Sequence, residues 1–294
     1  MRVFVTGATG FVGSAVVQEL LSAGHQVLGL SRSEAGAAGL RAAGAEVLQG
    51  SLQDLDSLRR GAEQAEAVAH LAFNHDFSRF AENCEDDARA IKAMGAVLEG
   101  SAKPMLVTSG LALQRSGDLA TEQDLPAPHF PRQSEEAAAE MAARGVRISA
   151  VRLSPTTHGR GDHGFTPTLI RIAREKGAAA YIGEGRNRWA AVHRTDAARL
   201  YRLALEQGVD GGPFHAVAEE GIPFKDIAAA IGRGLGVPVV SVSAEEAEAH
   251  FGWFARFAGF DVPASAARTR ARLGWAPKGL GLLEDMERSG YFEG

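Results

Sequence analysis

Short apolar runs alternate with amphipathic stretches through the first half of the chain. Residues 3–5 form an apolar strand, and Val16, Val17, Leu20 and Leu21 repeat at helical spacing after it. Residues 26–30 and 46–50 predict two more strands. Leu55, Leu58 and Ala62 then mark one face of a helix. Residues 67–73 are apolar except at His70 and predict a fourth strand. A long helix over residues 80–99 follows, with Ala88, Ile91, Met94, Ala96 and Val97 inward. Residues 105–108 and 147–153 predict two further strands, with a helix over 133–143 between them. Apolar runs without alternation are buried on both faces, so this order predicts a parallel sheet covered by helices on each side. After Pro155 the pattern loosens and Gly and aromatic residues become frequent, which predicts a loop-rich region with returning pieces of sheet.

Between the first strand and its helix stand Gly7, Gly10 and Gly13, spaced Gly-x-x-Gly-x-x-Gly. Strand, glycine turn and helix together suit a pyrophosphate. Backbone N–H groups can approach its oxygens, and the helix adds its positive end. Dinucleotide-binding folds place an acid for the adenosine ribose about 20 residues beyond the glycines. Here Ser31 and Arg32 occupy that strand end, with Glu34 the nearest carboxylate. Arginine pairs well with a phosphate, so the pattern favours NADP over NAD.

Composition narrows the partners. The chain has 294 residues, 45% hydrophobic and 23% charged, with net charge −5 and no long run of either sign. Nucleic acid and anionic membrane are disfavoured. The opening reads as neither a secretion signal nor a membrane span, and no run reaches the ~18 apolar residues a span needs. Cys84, the one cysteine, excludes an intrachain disulfide and makes a reducing cytoplasm the expected compartment. Its acidic neighbours, Glu82, Glu85, Asp86 and Asp87, oppose a thiolate, so it reads as inert. His158, Asp162 and His163 lack a further ligand cluster, so no metal is expected. Asp196 reads as a helix cap.

These residues resemble the extended short-chain dehydrogenase/reductase superfamily, which includes the NAD-dependent epimerases and dehydratases. The likeness rests on Thr6-Gly7-Ala8-Thr9-Gly10-Phe11-Val12-Gly13, His70-Leu71-Ala72, Thr108-Ser109, Val151-Arg152-Leu153-Ser154-Pro155 and Trp189-Ala190-Ala191-Val192-His193-Arg194-Thr195-Asp196. Pro223-Phe224-Lys225-Asp226-Ile227 and Leu273-Gly274-Trp275-Ala276-Pro277 extend it. It implies an α/β fold, a Rossmann-type doubly wound parallel sheet with a small C-terminal substrate-binding domain. Residues 1–155 would bind the dinucleotide, with parts of 190–220 completing the sheet, and 156–294 would mainly bind substrate. The cofactor residues it implies are Gly7, Thr9, Gly10, Phe11, Val12, Gly13, Ser31, Arg32, Ser51, Leu52, Leu71, Ala72, Phe73 and Pro155. A homodimer through the helices at 80–99 and 133–143 is a further expectation.

The superfamily's chemistry uses a serine and a Tyr-x-x-x-Lys pair. Ser109 matches the serine, but Pro131 stands at the tyrosine position and Glu135 at the lysine position. The chain's three tyrosines, Tyr181, Tyr201 and Tyr291, all come later. The chain therefore resembles an atypical member, and its proton source must be sought elsewhere. His75, at the exit of the fourth strand, is the first candidate and His158 the second. An imidazole titrates near neutrality. His70, inside that strand, reads as a satisfied structural histidine. Arg132 and Tyr181 are candidates for substrate binding. Of the aromatic cluster Phe251, Trp253, Phe254, Phe257 and Phe260, core packing is the main expectation, with part of it available to line a pocket. The expected activity is an NADPH-dependent reduction of a carbonyl or similar bond in a small molecule. A non-catalytic NADP-binding redox sensor and a sugar-nucleotide-type epimerase are the rival classes.

Overall fold

The computed structural model describes residues 1–128 and 130–293. Its first half alternates strand and helix: β1 (Arg2–Thr6), α1 (Phe11–Ser22), β2 (Gln26–Ser31), α2 (Glu34–Ala42), β3 (Glu46–Gln49) and α3 (Leu55–Gln64). Then come β4 (Ala67–His70), α4 (Phe80–Leu98), β5 (Met105–Gly110), α5 (Ser134–Ala143) and β6 (Ile148–Leu153). Alternation along each strand feeds two cores. Val3 and Val5 of β1 join Val16, Val17 and Leu20 of α1 on one face. Phe4 joins Leu58, Ala62, Ile91 and Met94 of α3 and α4 on the other. Full burial of a side chain like Phe4 is worth about 1.5–3 kcal/mol. A glycine inside a helix costs about 1 kcal/mol, which that burial outweighs. Gly61 of α3 makes the burial possible, because a Cβ there would stand 2.3 Å from the Phe4 ring.

The second half runs β7 (Thr156–His158), α6 (Phe165–Lys176), β8 (Ala179–Ile182), β9 (Arg188–His193), α7 (Arg194–Gln207), β10 (Phe214–Ala216), β11 (Glu219–Pro223) and α8 (Phe224–Leu235). It ends with β12 (Val239–Val242), α9 (Ala247–Phe251), α10 (Ala255–Ala258), α11 (Ala267–Leu273) and α12 (Leu282–Arg288). Strand β10 pairs with β6 and completes a seven-stranded parallel sheet in the order β10-β6-β5-β4-β1-β2-β3. The order reverses between β1 and β4, where Thr6 lies opposite His70, and open α/β sheets bind ligands beyond the carboxyl ends at such a point. Strands β11, β9 and β7 form a small sheet, β12 and β8 a pair, and both enclose a third core around Trp189, Phe224, Ile227 and Phe254. No helix among the described residues is long and apolar enough to cross a membrane.

Three local expectations change. Ala96 of α4, expected to face inward, is exposed. The fourth strand stops at His70 rather than running to Phe73. The Thr6 hydroxyl oxygen accepts the N–H groups of Leu71 and Ala72, both at 3.2 Å, and turns the chain off the sheet. Asp196 does not cap α7. His193 does, accepting the Thr195 N–H, while the Asp196 carboxylate accepts the N–H groups of Lys278 and Gly279.

Candidate cofactor and substrate cleft

A cleft of about 890 Å³ opens at the reversal point, and the glycine loop forms its floor. The Gly10 N–H donates to the Gly7 carbonyl at 2.9 Å, closing the turn, and Gly7 sits at φ +65. A Cβ on Gly7 would lie 2.7 Å from the Ala72 nitrogen, and one on Gly13 only 1.9 Å from the Gly7 carbonyl oxygen. The loop is thus folded so tightly that side chains are excluded, which is the condition for backbone N–H groups to meet an anion. No side chain caps α1, and no acidic residue stands in its first turn. These features fit a pyrophosphate.

At one end of the cleft lie Leu30, Arg32, Ser51 and Leu52. Arg32 is exposed and has no carboxylate partner among the described residues. Glu34, the carboxylate that clouded the cofactor choice in the sequence, is engaged elsewhere. It accepts from Arg41 at 2.7 Å and from Gln49 at 3.2 Å. Ser31 is a correction. Its side chain is buried, donates to the Ser33 carbonyl at 2.9 Å and does not line the cleft. The other cofactor candidates all do: Gly7, Thr9, Gly10, Phe11, Val12 and Gly13 in the loop, then Leu71, Ala72 and Phe73 after β4, and Pro155 after β6.

At the other end Ser109, His75 and Arg132 line one space. No side-chain hydrogen bond occupies the Ser109 hydroxyl among the described residues, so it can face a ligand. His75 reaches solvent through the mouth of the cleft but is crowded by protein, its ring 5.3 Å from that of Phe73. That crowding lowers its pKa from the ordinary 6.5, and the charges of Arg132 and His163 lower it further. Arg132 lies with its guanidinium 4.3 Å over the Phe73 ring. It donates from Nη2 to the Thr108 carbonyl at 2.8 Å and from Nε to the Ser134 hydroxyl at 3.0 Å.

A buried chain of hydrogen bonds stands behind Arg132. Ser134 donates to Asp87, Asp87 faces His70 Nε2 at 3.1 Å, and His70 Nδ1 meets the Thr6 hydroxyl at 2.7 Å. Burial alone would raise the Asp87 pKa, but His70, Arg132 and Ser134 together hold it below the usual carboxylate range. Both ring nitrogens of His70 are satisfied, as a structural histidine requires. Cys84 is buried, which pushes its thiol up to about 11 and keeps it protonated.

The remaining candidates are placed elsewhere. His158 is fully buried in β7, its Nδ1 2.8 Å from Asp285 of α12, and it does not line the cleft. Its neighbours Thr156 and Thr157 line the cleft. Tyr181, in β8, packs against Gly185 outside the cleft. Neither can touch a ligand bound there. Glu135 and Tyr201 are both engaged elsewhere. Glu135, at the lysine position, receives Arg152 through Nε and Nη2 at 2.8 and 2.7 Å. Tyr201 is wholly buried behind Thr108, bonded to its hydroxyl at 2.7 Å, and burial pushes its phenol far up. Sequence reasoning missed Asp162, His163 and Thr166, which also line the cleft. The first two were weighed only as metal ligands, and their place at the entry to α6 is what brings them here.

The pattern of the NAD dependent epimerase/dehydratase family matches residues 3–101. The epimerase family protein SDR39U1 of Mus musculus is 30% identical over 263 residues, covering 82% of this chain and 84% of its own length. This chain belongs to the NAD-dependent epimerase/dehydratase family. Within reach of the same comparison, an uncharacterised protein of Schizosaccharomyces pombe is 52% identical, covering 99% of this chain and 100% of its own. The epimerase/dehydratase fold extends across the whole molecule. DesIV, a dTDP-glucose 4,6-dehydratase from Streptomyces venezuelae solved with NAD and TYD bound, superposes with TM-score 0.78 at 19% identity, covering 99% of this chain and 96% of that one. The fold is therefore that of the NAD(P)-dependent enzymes of this family.

Proposed function

We propose that this chain is an NADPH-dependent oxidoreductase that reduces a carbonyl, or a similarly polarised double bond, in a small molecule. What supports it most is the charge at the cofactor end. Arg32 stands exposed at the end of β2 while Glu34, the one competing acid, is tied to Arg41. A ribose 2′-phosphate would meet a cation there, and a 2′-hydroxyl would find no carboxylate. When bound, a reduced nicotinamide supplies hydride. The protein's part is to hold the substrate oxygen and give it a proton. Ser109 donates a hydrogen bond to that oxygen, Arg132 adds positive charge beside it, and His75 supplies the proton as the alkoxide develops.

The cofactor assignment is tested by titrating NADPH and NADH into Arg32→Ala. Loss of one exposed charge–phosphate contact should weaken NADPH about tenfold. NADH should bind as it does to the wild type, and equal losses for both would sink the assignment. Turnover is tested with NADPH and a panel of aldehydes, ketones and imines. Tight NADPH binding with no turnover on any of them would point to a sensor instead.

The role of His75 carries its own pH signature. Its lowered pKa leaves the imidazole neutral at pH 7, so the protonated form that reduction needs is populated only below the ordinary 6.5. Reduction kcat at saturating NADPH and substrate should therefore fall as pH rises, on a limb centred below 6.5, and the oxidation direction should show the opposite limb. His75→Gln should flatten both profiles. A limb that persists in that variant assigns the proton to another group.

A further inference from the structure

We propose that the substrate is a flat apolar molecule bearing a carboxylate, with Arg132 as the carboxylate anchor and Trp253, Phe257 and Phe260 as the cradle for its body. This rests on the oxidoreductase reading above and names the substrate class for that site. The lining of the cleft also includes a cluster of rings. Phe257 stands 6.0 Å from Trp253, 5.6 Å from Phe260 and 5.0 Å from Phe165, centre to centre. Trp253 is 53% exposed although it is one of the largest apolar side chains present, and its exposed surface lines the cleft. Phe80 adds a second patch, 6.0 Å from Phe73 and 6.1 Å from Phe130. So much aromatic surface in one cleft suits an apolar body of ring size better than a polyhydroxylated one.

The charge in that apolar setting is positive. Among the described residues lining the cleft Asp162 is the one carboxylate, and it is held by the Gly164 N–H at 2.7 Å and the Tyr291 hydroxyl at 2.9 Å. Arg132 is half-buried and locked by Phe73, Thr108 and Ser134, so it is oriented before any ligand arrives. Its Nη1 bonds to none of the described residues. A guanidinium with one edge fixed and another open is suited to a carboxylate, which takes two parallel N–H donors. Asp87 feels the charge of Arg132 but bonds Ser134 and His70 rather than the guanidinium, so it leaves the open edge unbonded. A second polar group in the same lining also lacks a partner. Thr166 is 1% exposed, next to Phe165, and its hydroxyl makes no hydrogen bond. Buried hydroxyls are ordinarily satisfied, so this one fits a site completed by a ligand.

The test compares 3-phenylpropanoate, 3-phenylpropanamide and acetate as probes of the NADPH-saturated protein. The first two share a body and differ in charge; acetate has the charge without the body. Quenching of Trp253 reads binding at the cradle, since the other two tryptophans, Trp189 and Trp275, are buried. The acid should bind at least about tenfold more tightly than either the amide or acetate. Arg132→Gln should bring the acid down to the affinity of the amide, and Arg132→Lys should keep part of the difference. Equal wild-type affinities for acid and amide overturn the carboxylate anchor, and equal affinities for the acid and acetate overturn the cradle. NADPH binding, read on the same samples, separates the two levels. A wild type that does not bind NADPH defeats the oxidoreductase reading, whereas normal NADPH binding without an acid preference defeats the substrate class alone. The wild-type comparison stands even if the Arg132→Gln variant fails to fold.

Discussion

Glu135→Lys, which puts a lysine where the family resemblance expects one, is expected to destabilise the protein by about 3–5 kcal/mol and to bring no gain in turnover. Arg152 explains why. Its side chain is 2% exposed, and among the described residues Glu135 is the carboxylate that pairs with it, taking two of its nitrogens at 2.7–2.8 Å. The remaining neighbours of its guanidinium are the Glu122 carbonyl and His215 Nε2 at 3.2 Å, and burial lowers the His215 pKa, keeping that ring neutral. A lysine at 135 would remove the compensating charge and add a second cation against a buried one. Breaking a buried pair from one side is far more costly than losing an exposed one. At roughly 2–4 °C per kcal/mol for a chain somewhat smaller than this one, the melting temperature should drop by roughly 10 °C. Thermal unfolding by circular dichroism measures this, with Glu135→Gln as the milder comparison that keeps an acceptor oxygen. Unchanged melting together with faster turnover in Glu135→Lys, or in that change combined with Pro131→Tyr, would show that the pocket still has room for the family's pair. Position 135 instead belongs to the buried Arg152 ion pair.

That ion pair marks the boundary of what was legible in the sequence. The sheet, its parallel order and the glycine loop follow from local signals: apolar runs with no alternation, helical spacing and three glycines between them. Those signals act over a few residues and survive into the folded chain. The place of Arg32 just after β2 was legible too, but the partners of Glu34 were not, since they depend on Arg41 and Gln49 reaching back to it from α2 and β3. His158 misled for a related reason. In the sequence it follows a cofactor-facing loop, yet Asp285, 127 residues later, holds it in the core. Tyr181 is likewise claimed by a packing partner, Gly185, within its own turn of chain. The aromatic cluster divided: Phe251 and Phe254 went to the core, while Trp253, Phe257 and Phe260 came to the cleft. Helical spacing alone cannot say which side of such a cluster turns to the core and which to the cleft.

The glycine loop itself yields the second large effect, because Gly13→Ala is expected to weaken NADPH roughly a thousandfold. Gly13 lies in the first turn of α1, where alanine would ordinarily favour the helix. Here the added methyl would stand 1.9 Å from the Gly7 carbonyl oxygen and 2.7 Å from its carbon. Both are backbone atoms, and Gly7 cannot yield. Its carbonyl already accepts the Gly10 N–H, and the backbone of Leu71 and Ala72 leaves no room for a Cβ beside it. The first turn of α1 must therefore lift away from β1, carrying its N–H groups off the pyrophosphate position. Losing two charge-assisted hydrogen bonds at about 1.5–3 kcal/mol each amounts to about 4 kcal/mol, or close to three decades in affinity. Gly39→Ala in α2 is the control, since a Cβ there meets nothing within 4 Å, and it should bind NADPH as the wild type does. Fluorescence titration of NADPH, with circular dichroism to confirm folding, decides the matter. Wild-type affinity in a folded Gly13→Ala protein would mean that the phosphates do not rest on this turn, and that the close fit of α1 against β1 serves only packing.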